Sequence, residues 1–253
     1  MTLEFKMKIK KSNLVVVLFM LMSFSTVFII ACDKDPETTT PETGTLTDID
    51  GNVYNTVKIG NTWWMAENLK TQKYRNGDII DSVSTNEPDT LWRNKKTGAY
   101  CYLDPKFGFL YNFYTITDGR EIAPEGWHIP SDEEWKELEI YLGMTIEASD
   151  SINWRGSDQG NKLKINGGSS NSWEKSSDIF EIFGTNESGF TAFGGACRIF
   201  DGNWGYPTHT AFWWTSTINE NDAWYRGLDY NKTNVFRYSG PMNYGFSIRC
   251  VKD

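Results

Sequence analysis

The string Gly126-Trp127-His128-Ile129-Pro130-Ser131-Asp132-Glu133-Glu134-Trp135 carries the firmest local instruction in this chain. Ser131 with Glu134 three positions on makes a capping box, in which side chain and backbone satisfy each other's free N–H groups. Asp132 and Glu133 place negative charge at the positive end of the helix dipole. Trp135, Leu138 and Leu142 follow at i, i+3 and i+7, one apolar stripe of a helix. Gly143 supplies the stop. The spacing predicts a helix from Ser131 to about Gly143.

Downstream, a shorter helix is expected around 161–165, within a Gly-, Ser- and Asn-rich stretch from 150 to 189 that loops over a sheet. From Phe212 onward the pattern turns to strands at 212–217, 223–230, 234–238 and 245–251. Asn219-Glu220-Asn221-Asp222, Asn231-Lys232-Thr233 and Gly240-Pro241-Met242-Asn243 separate them, each with turn chemistry. This reads as an antiparallel meander. Upstream, 52–59 and 62–68 alternate around Gly60-Asn61 and read as a hairpin. Residues 75–98 read as a long loop, and 99–103 and 108–116 as further strands. The class is α+β, loop-rich, with one main capped helix, a shorter one and a C-terminal antiparallel meander.

Further strings accompany the capped helix. They are Trp63-Trp64-Met65-Ala66-Glu67-Asn68-Leu69, Leu110-Tyr111-Asn112-Phe113-Tyr114, Asn186-Glu187-Ser188-Gly189-Phe190, Phe212-Trp213-Trp214-Thr215-Ser216-Thr217 and Gly245-Phe246-Ser247-Ile248-Arg249-Cys250-Val251. In that order and spacing the region from Leu46 to the C-terminus resembles the Fibrobacter succinogenes major paralogous domain. The resemblance implies a C-type-lectin-like fold, related to that of the formylglycine-generating enzymes, in secreted or surface proteins without an established activity. It also implies that a cysteine before the G-W-H string bridges to the last strand. Here Glu121-Ile122-Ala123-Pro124-Glu125 holds none, which leaves Cys250 to pair with Cys101, to pair with Cys197 or to stay reduced. Cys101 with Cys250 is the expected pairing.

The N-terminus reads as a secretory leader: Lys6, Lys8, Lys10 and Lys11, an apolar run from Leu14, then Ile29-Ile30-Ala31-Cys32. The last four residues resemble a bacterial lipobox, with residues 1–31 removed and Cys32 acylated. The rival reading is an uncleaved membrane anchor over 14–31, close to the roughly 20 residues a span needs. Residues 32–45, rich in Thr, Pro and Glu, cannot bury apolar surface and read as a disordered tether. The domain is expected over 46–253. Acidic residues just after the cysteine resemble the surface-export signal of Bacteroidota lipoproteins. The expected location is therefore the outer membrane, lipid-anchored and facing outward. With Cys32 acylated, Cys101, Cys197 and Cys250 remain, an odd number in an oxidising compartment.

The chain of 253 residues has a net charge of −8, which repels nucleic-acid phosphates and leaves no nucleic-acid partner. Its two histidines are too few for a zinc site of the usual kind. The paired C-terminal cysteines of formylglycine chemistry are missing. No phosphate-cradling glycine loop or nucleophile elbow occurs. Asp48, Asp50 and Asp222 are the candidate calcium ligands, since Asp48-Ile49-Asp50-Gly51-Asn52 has the spacing of part of a calcium loop. No other cofactor is indicated. Aromatic residues crowd the C-terminal half, and amphipathic rings stack on sugars and anchor interfaces. Trp204, Tyr206, Trp213 and Trp224 are the candidate ligand-binding aromatics. Successive residues of a strand face opposite sides, so Trp213 and Trp214 are not both expected in the core. The functional expectation is a non-catalytic surface module that recognises a glycan or a protein. The rivals are a carbohydrate hydrolase and a structural part of a surface assembly.

Overall fold

The structure is a computed structural model, and it describes residues 40–166, 173, 184–205 and 209–253. The leader, Cys32, most of the expected tether and Tyr206 lie outside the described residues. In chain order the strands and helices are β1 (Thr43–Thr47), β2 (Val53–Ile59), β3 (Thr62–Met65), β4 (Asp81–Ser82), α1 (Asp89–Arg93), β5 (Ala99–Cys101), β6 (Leu110–Tyr111), α2 (Phe113–Ile116), β7 (Trp127–His128), α3 (Asp132–Tyr141), α4 (Ile146–Asp150), β8 (Asn153–Arg155), α5 (Gln159–Leu163), β9 (Cys197–Arg198), β10 (Trp204–Gly205), β11 (Thr210–Asn219), β12 (Asp222–Asp229), β13 (Val235–Pro241) and β14 (Val251–Lys252). The mixture is α+β, with mostly antiparallel sheets and short helices.

The capped helix forms where its sequence places it. Ser131 Oγ accepts the Glu134 N–H at 3.2 Å, and Glu134 Oε2 accepts the Ser131 N–H at 2.7 Å. Gly143, at φ +100°, takes the left-handed position that follows the helix. The shorter helix is α5, at Gln159–Leu163. The first hairpin is β2–β3, and the meander is β11–β12–β13, extended at its edge by β8.

Several expectations are corrected. The tether boundary at residue 46 falls inside β1, where Thr43 already pairs with Val57. Residues 75–98 are not all loop, since β4 and α1 lie within them. The strand expected over 108–116 is only Leu110–Tyr111. Asn112 then caps α2, its side chain accepting the Thr115 N–H, and the chain turns helical. The strand expected over 245–251 shrinks to β14, which fits between β3 and β7.

A five-stranded sheet, β1-β2-β3-β14-β7, and the four-stranded sheet β11-β12-β13-β8 enclose α3. Trp64 and Val251 of the first sheet meet Trp135 and Leu138 of the helix and Trp213, Leu228 and Val235 of the second. The opposite face of the five-stranded sheet packs Tyr54, Met65 and Cys250 against Tyr100 and Tyr111 of β5 and β6. Both faces of β11 are therefore covered. Trp213 is 1 % exposed under α3, and Trp214 is 0 % exposed on the other side, beneath Phe113 and Phe246. The expectation that one of the two would be solvent-facing fails because residues far apart in the chain cover each side.

Candidate functional site

Four of the strings that carried the family resemblance meet through their rings in one core cluster. Trp64, Trp135, Phe190 and Trp213 pack with ring centroids 5.0–6.3 Å apart. Asn68 Oδ1 accepts hydrogen bonds from Trp213 Nε1 and Arg249 Nε, both at 2.8 Å. Trp214 Nε1 donates to the Tyr111 carbonyl at 2.8 Å. These residues hold loops to strands, and all but the half-buried Asn68 are buried.

The buried acidic groups of α3, Asp132 and Glu139, are equally committed. Asp132 receives Arg226 Nη1 at 2.7 Å and Arg237 Nη2 at 2.7 Å. Glu139 receives Arg226 Nε at 2.8 Å and also pairs with Arg155. Burial alone would raise the Asp132 carboxyl, but Arg237 and Arg226 overcome it and hold the group far below the usual range. Asp132 was read from sequence only as a helix-dipole residue. Its buried arginine partners left no local signal, because they come from β12 and β13.

His128 lies between two carboxylates, with Nδ1 2.7 Å from Asp253 Oδ1 and Nε2 2.8 Å from Glu134 Oε1. Glu134 thus serves both the capping box and the imidazole.

The calcium candidates are not brought together. Asp48 Oδ1 accepts the N–H groups of Asp50 and Asn52, and Oδ2 accepts Asn52 Nδ2 and the Tyr54 hydroxyl. These bonds fill the usual acceptor directions of a carboxylate. Asp50 pairs with Lys73 at 2.9 Å and accepts from Thr71 and Gln72. Both aspartates therefore shape the turn into the first hairpin. Asp222 lies on a different sheet, in β12. Among the described residues no group of three or more His, Cys, Asp or Glu is arranged to hold a metal.

The expected Cys101–Cys250 bridge is not formed. Cys101, Cys197 and Cys250 are free, buried thiols. Cys101 packs with Val83, Trp92 and Leu110, whereas Cys250 packs with Tyr54 and Met65 in a separate cluster.

The candidate binding aromatics separate too. Trp213 is core and unavailable. Trp224 lies half-buried on the α3 side of the sheet, with the Arg237 guanidinium carbon 3.8 Å from its ring centroid. Trp204 is half-buried and lies 4.7 Å from the Arg198 guanidinium carbon.

Sequence reading missed a different set, on the outer face of the four-stranded sheet. Directly opposed strand residues share a face. The pairs Trp154–Phe236, Phe236–Gly227 and Tyr238–Tyr225 therefore put Trp154, Phe236, Tyr238 and Tyr225 on one side. From Trp154 to Phe236 the ring centroids are 5.2 Å apart, and from Phe236 to Tyr238 5.9 Å. Tyr238 to Tyr225 is 6.5 Å, Tyr225 to Tyr244 6.4 Å and Tyr244 to Phe200 5.6 Å. Tyr238 is 43 % exposed and Phe200 46 %. Gly227 lets the ladder pack, since a Cβ there would come within 2.7 Å of the Phe212 ring. The alternation of Phe236 and Tyr238 along β13 is the sequence signal for this face.

The phenol hydroxyls of Tyr225, Tyr238 and Tyr244 have no hydrogen-bond partner among the described residues. Burial, followed by the neighbouring Tyr244 and Tyr238 phenols, pushes Tyr225 well above the ordinary range, so it stays a neutral donor and acceptor. Two concavities lined by described residues are small. A cleft of ≈ 130 Å³ lies between Leu103, Phe107, Leu110 and Ala196, and one of ≈ 240 Å³ lies beside Arg75 and Ile122. Both fall below the roughly 300–1,000 Å³ of small-molecule sites.

The sequence matches no curated protein and no solved structure. It does match the family profile of the Fibrobacter succinogenes major domain over residues 57–252. That span takes in the capped helix, the core strings and the whole outer aromatic face, and the chain belongs to the Fibrobacter succinogenes major domain family.

Proposed function

We propose that this chain is a non-catalytic recognition module, exported and held by lipid on Cys32 at the outer face of the outer membrane, and that it binds glycan on the aromatic face of the four-stranded sheet. The observation that carries the reading is the ring ladder, open to solvent at Tyr238 and Phe200, partly open at Trp154, Phe236 and Tyr244 and buried at Tyr225, together with the unpartnered hydroxyls of Tyr238 and Tyr244. Ring faces suit the apolar faces of sugars, and phenol hydroxyls exchange hydrogen bonds with sugar hydroxyls. The commitment of Asp132 and Glu139 to arginines supports a binding role over hydrolysis, which needs a carboxylate free to exchange protons. A C-type-lectin-like architecture belongs to the same reading. It is supported by the return of β14 beside β3, which places the C-terminal strand against the N-terminal hairpin.

The test is a glycan array probed with the full-length protein in detergent, as wild type, Tyr238→Ala and Phe200→Ala. Retention on the array that falls at least tenfold in both variants supports the reading, and retention unchanged in both contradicts it. Palmitate incorporation that disappears in Cys32→Ala tests the anchor separately.

A further inference from the structure

The chemistry of this face narrows its ligand, on the reading that glycan binds there. The basic residues of the four strands are Arg155, Arg226 and Arg237. All of them turn toward α3, where Asp132 and Glu139 engage their guanidinium groups. Strand alternation enforces this, since Arg226 opposes Arg237 while the neighbouring Tyr225 opposes Tyr238 on the other side. The outer face therefore offers rings and hydroxyls and turns no strand cation toward a ligand. Near its Tyr225–Phe200 end the fixed charges are Asp222 and Asp201, with Arg93 of α1 acting on Asp201. Asp222 disfavours ionisation of both Tyr225 and Tyr244, and Asp201 does the same at Tyr244.

We propose that the ligand is an uncharged, hydroxyl-rich polysaccharide chain lying along the rings from Trp154 to Phe200, and that acidic glycans are rejected. An acidic sugar placed on the strand rings would lose water from its carboxylate or sulfate and gain no strand cation in return, which is unfavourable. A neutral sugar loses only hydroxyl hydration, and the phenols of Tyr238 and Tyr244 restore it. The successive ring spacings are of the order of one sugar residue, so a chain engages several rings at once. A monosaccharide engages one and binds weakly.

The experiment is calorimetric titration of the full-length protein in detergent with neutral hexasaccharides of glucose, mannose and xylose, and with hexagalacturonate. Wild type, Tyr238→Phe and Tyr238→Ala are compared, each first checked for an unchanged thermal transition. The expected result is binding of at least one neutral hexasaccharide, unaltered between low and moderate salt, with no measurable binding of hexagalacturonate. Tyr238→Phe keeps the ring and loses the hydroxyl, so affinity should fall a few-fold; Tyr238→Ala should lose at least tenfold. Hexagalacturonate bound as tightly as the neutral chains, and still weakened by Tyr238→Ala, overturns the neutral-ligand inference but leaves the aromatic-face reading standing. Neutral chains that bind equally to wild type and Tyr238→Ala overturn the reading beneath it. A wild type that binds none of the neutral chains overturns both.

Discussion

Asn68 and Arg249 are 181 residues apart in sequence and joined by a 2.8 Å hydrogen bond, Arg249 Nε donating to Asn68 Oδ1. The rest of that guanidinium is spent on the carbonyls of Met65, Phe190 and Thr191, and it lies 4.1 Å from the Phe190 ring centroid. Burial brings the Arg249 pKa down to about 9, yet the side chain finds neutralising dipoles on every edge. One residue thus fastens the first hairpin, the loop at Phe190 and the C-terminal segment together. Arg249→Ala leaves several buried carbonyls unpaired, at about 1–3 kcal/mol each. Urea denaturation should show a loss of at least roughly 3 kcal/mol. A loss below about 1 kcal/mol would mean that water replaces the guanidinium at little cost.

The arginines beneath the meander make a second prediction. Asp132→Asn removes the charge facing Arg226 and Arg237, and breaking a buried pair costs roughly 3–5 kcal/mol. Glu133, exposed and bound only to Lys136, should change stability by less than about 0.5 kcal/mol when replaced by alanine. Asp132 has a depressed pKa in the folded state, so its contribution is present above the unfolded value of about 3.9 and drains away as pH falls below it. Acid unfolding should accordingly begin at higher pH in Asp132→Asn than in wild type. Coincident acid transitions would contradict the arrangement.

At His128 the sign is reversed. Desolvation pulls its pKa down, but hydrogen bonds to Asp253 and Glu134 outweigh it and leave the pKa raised. Stability from this group is therefore complete below about pH 6.5, the unfolded value, and is lost as pH rises through the folded value. Wild-type Tm should drop between pH 6 and pH 8 by more than that of His128→Gln, because the variant has nothing to titrate there. The imidazole is substantially exposed, so the difference should be small. A Tm of wild type that rises across this window would refute the assignment.

Burial keeps the thiols protonated, with Cys101 and Cys197 each pushed up to about 12 and Cys250 higher still. Thiolates are the reactive form, so native protein should resist a thiol reagent for hours. In denaturant Cys101, Cys197 and Cys250 should all react at once. A denatured protein that withholds two of them until reductant is added would reveal a bridge formed on export.

How much of this was legible depended on how local each cause is. The capping box at Ser131 and Glu134, the stop at Gly143 and the meander turns at 219–222 and 231–233 are set by residues within a few positions, and they formed as read, whereas Gly240 and Pro241 continue β13. The burial of both Trp213 and Trp214 was not legible, because α3 covers one side and Phe113 with Phe246 the other. Asp132 failed for the same reason, its role being fixed by strands that begin ninety residues later. Of the candidate binding aromatics, Trp213 lies in the core, since the tryptophan-rich strings of this chain meet under α3. On the outer face the exposed rings are Tyr238 and Phe200, in strings that carried no resemblance.

The outer aromatic face can be tested directly by hydroxyl-radical footprinting of the full-length protein, with and without a bound neutral hexasaccharide. Protection should concentrate at Trp154, Phe236, Tyr238 and Phe200 and leave Trp204 and Leu103 unchanged. Protection at Trp204, or at Leu103 beside the apolar cleft, with Tyr238 and Phe200 as reactive as before, would place recognition elsewhere on the molecule.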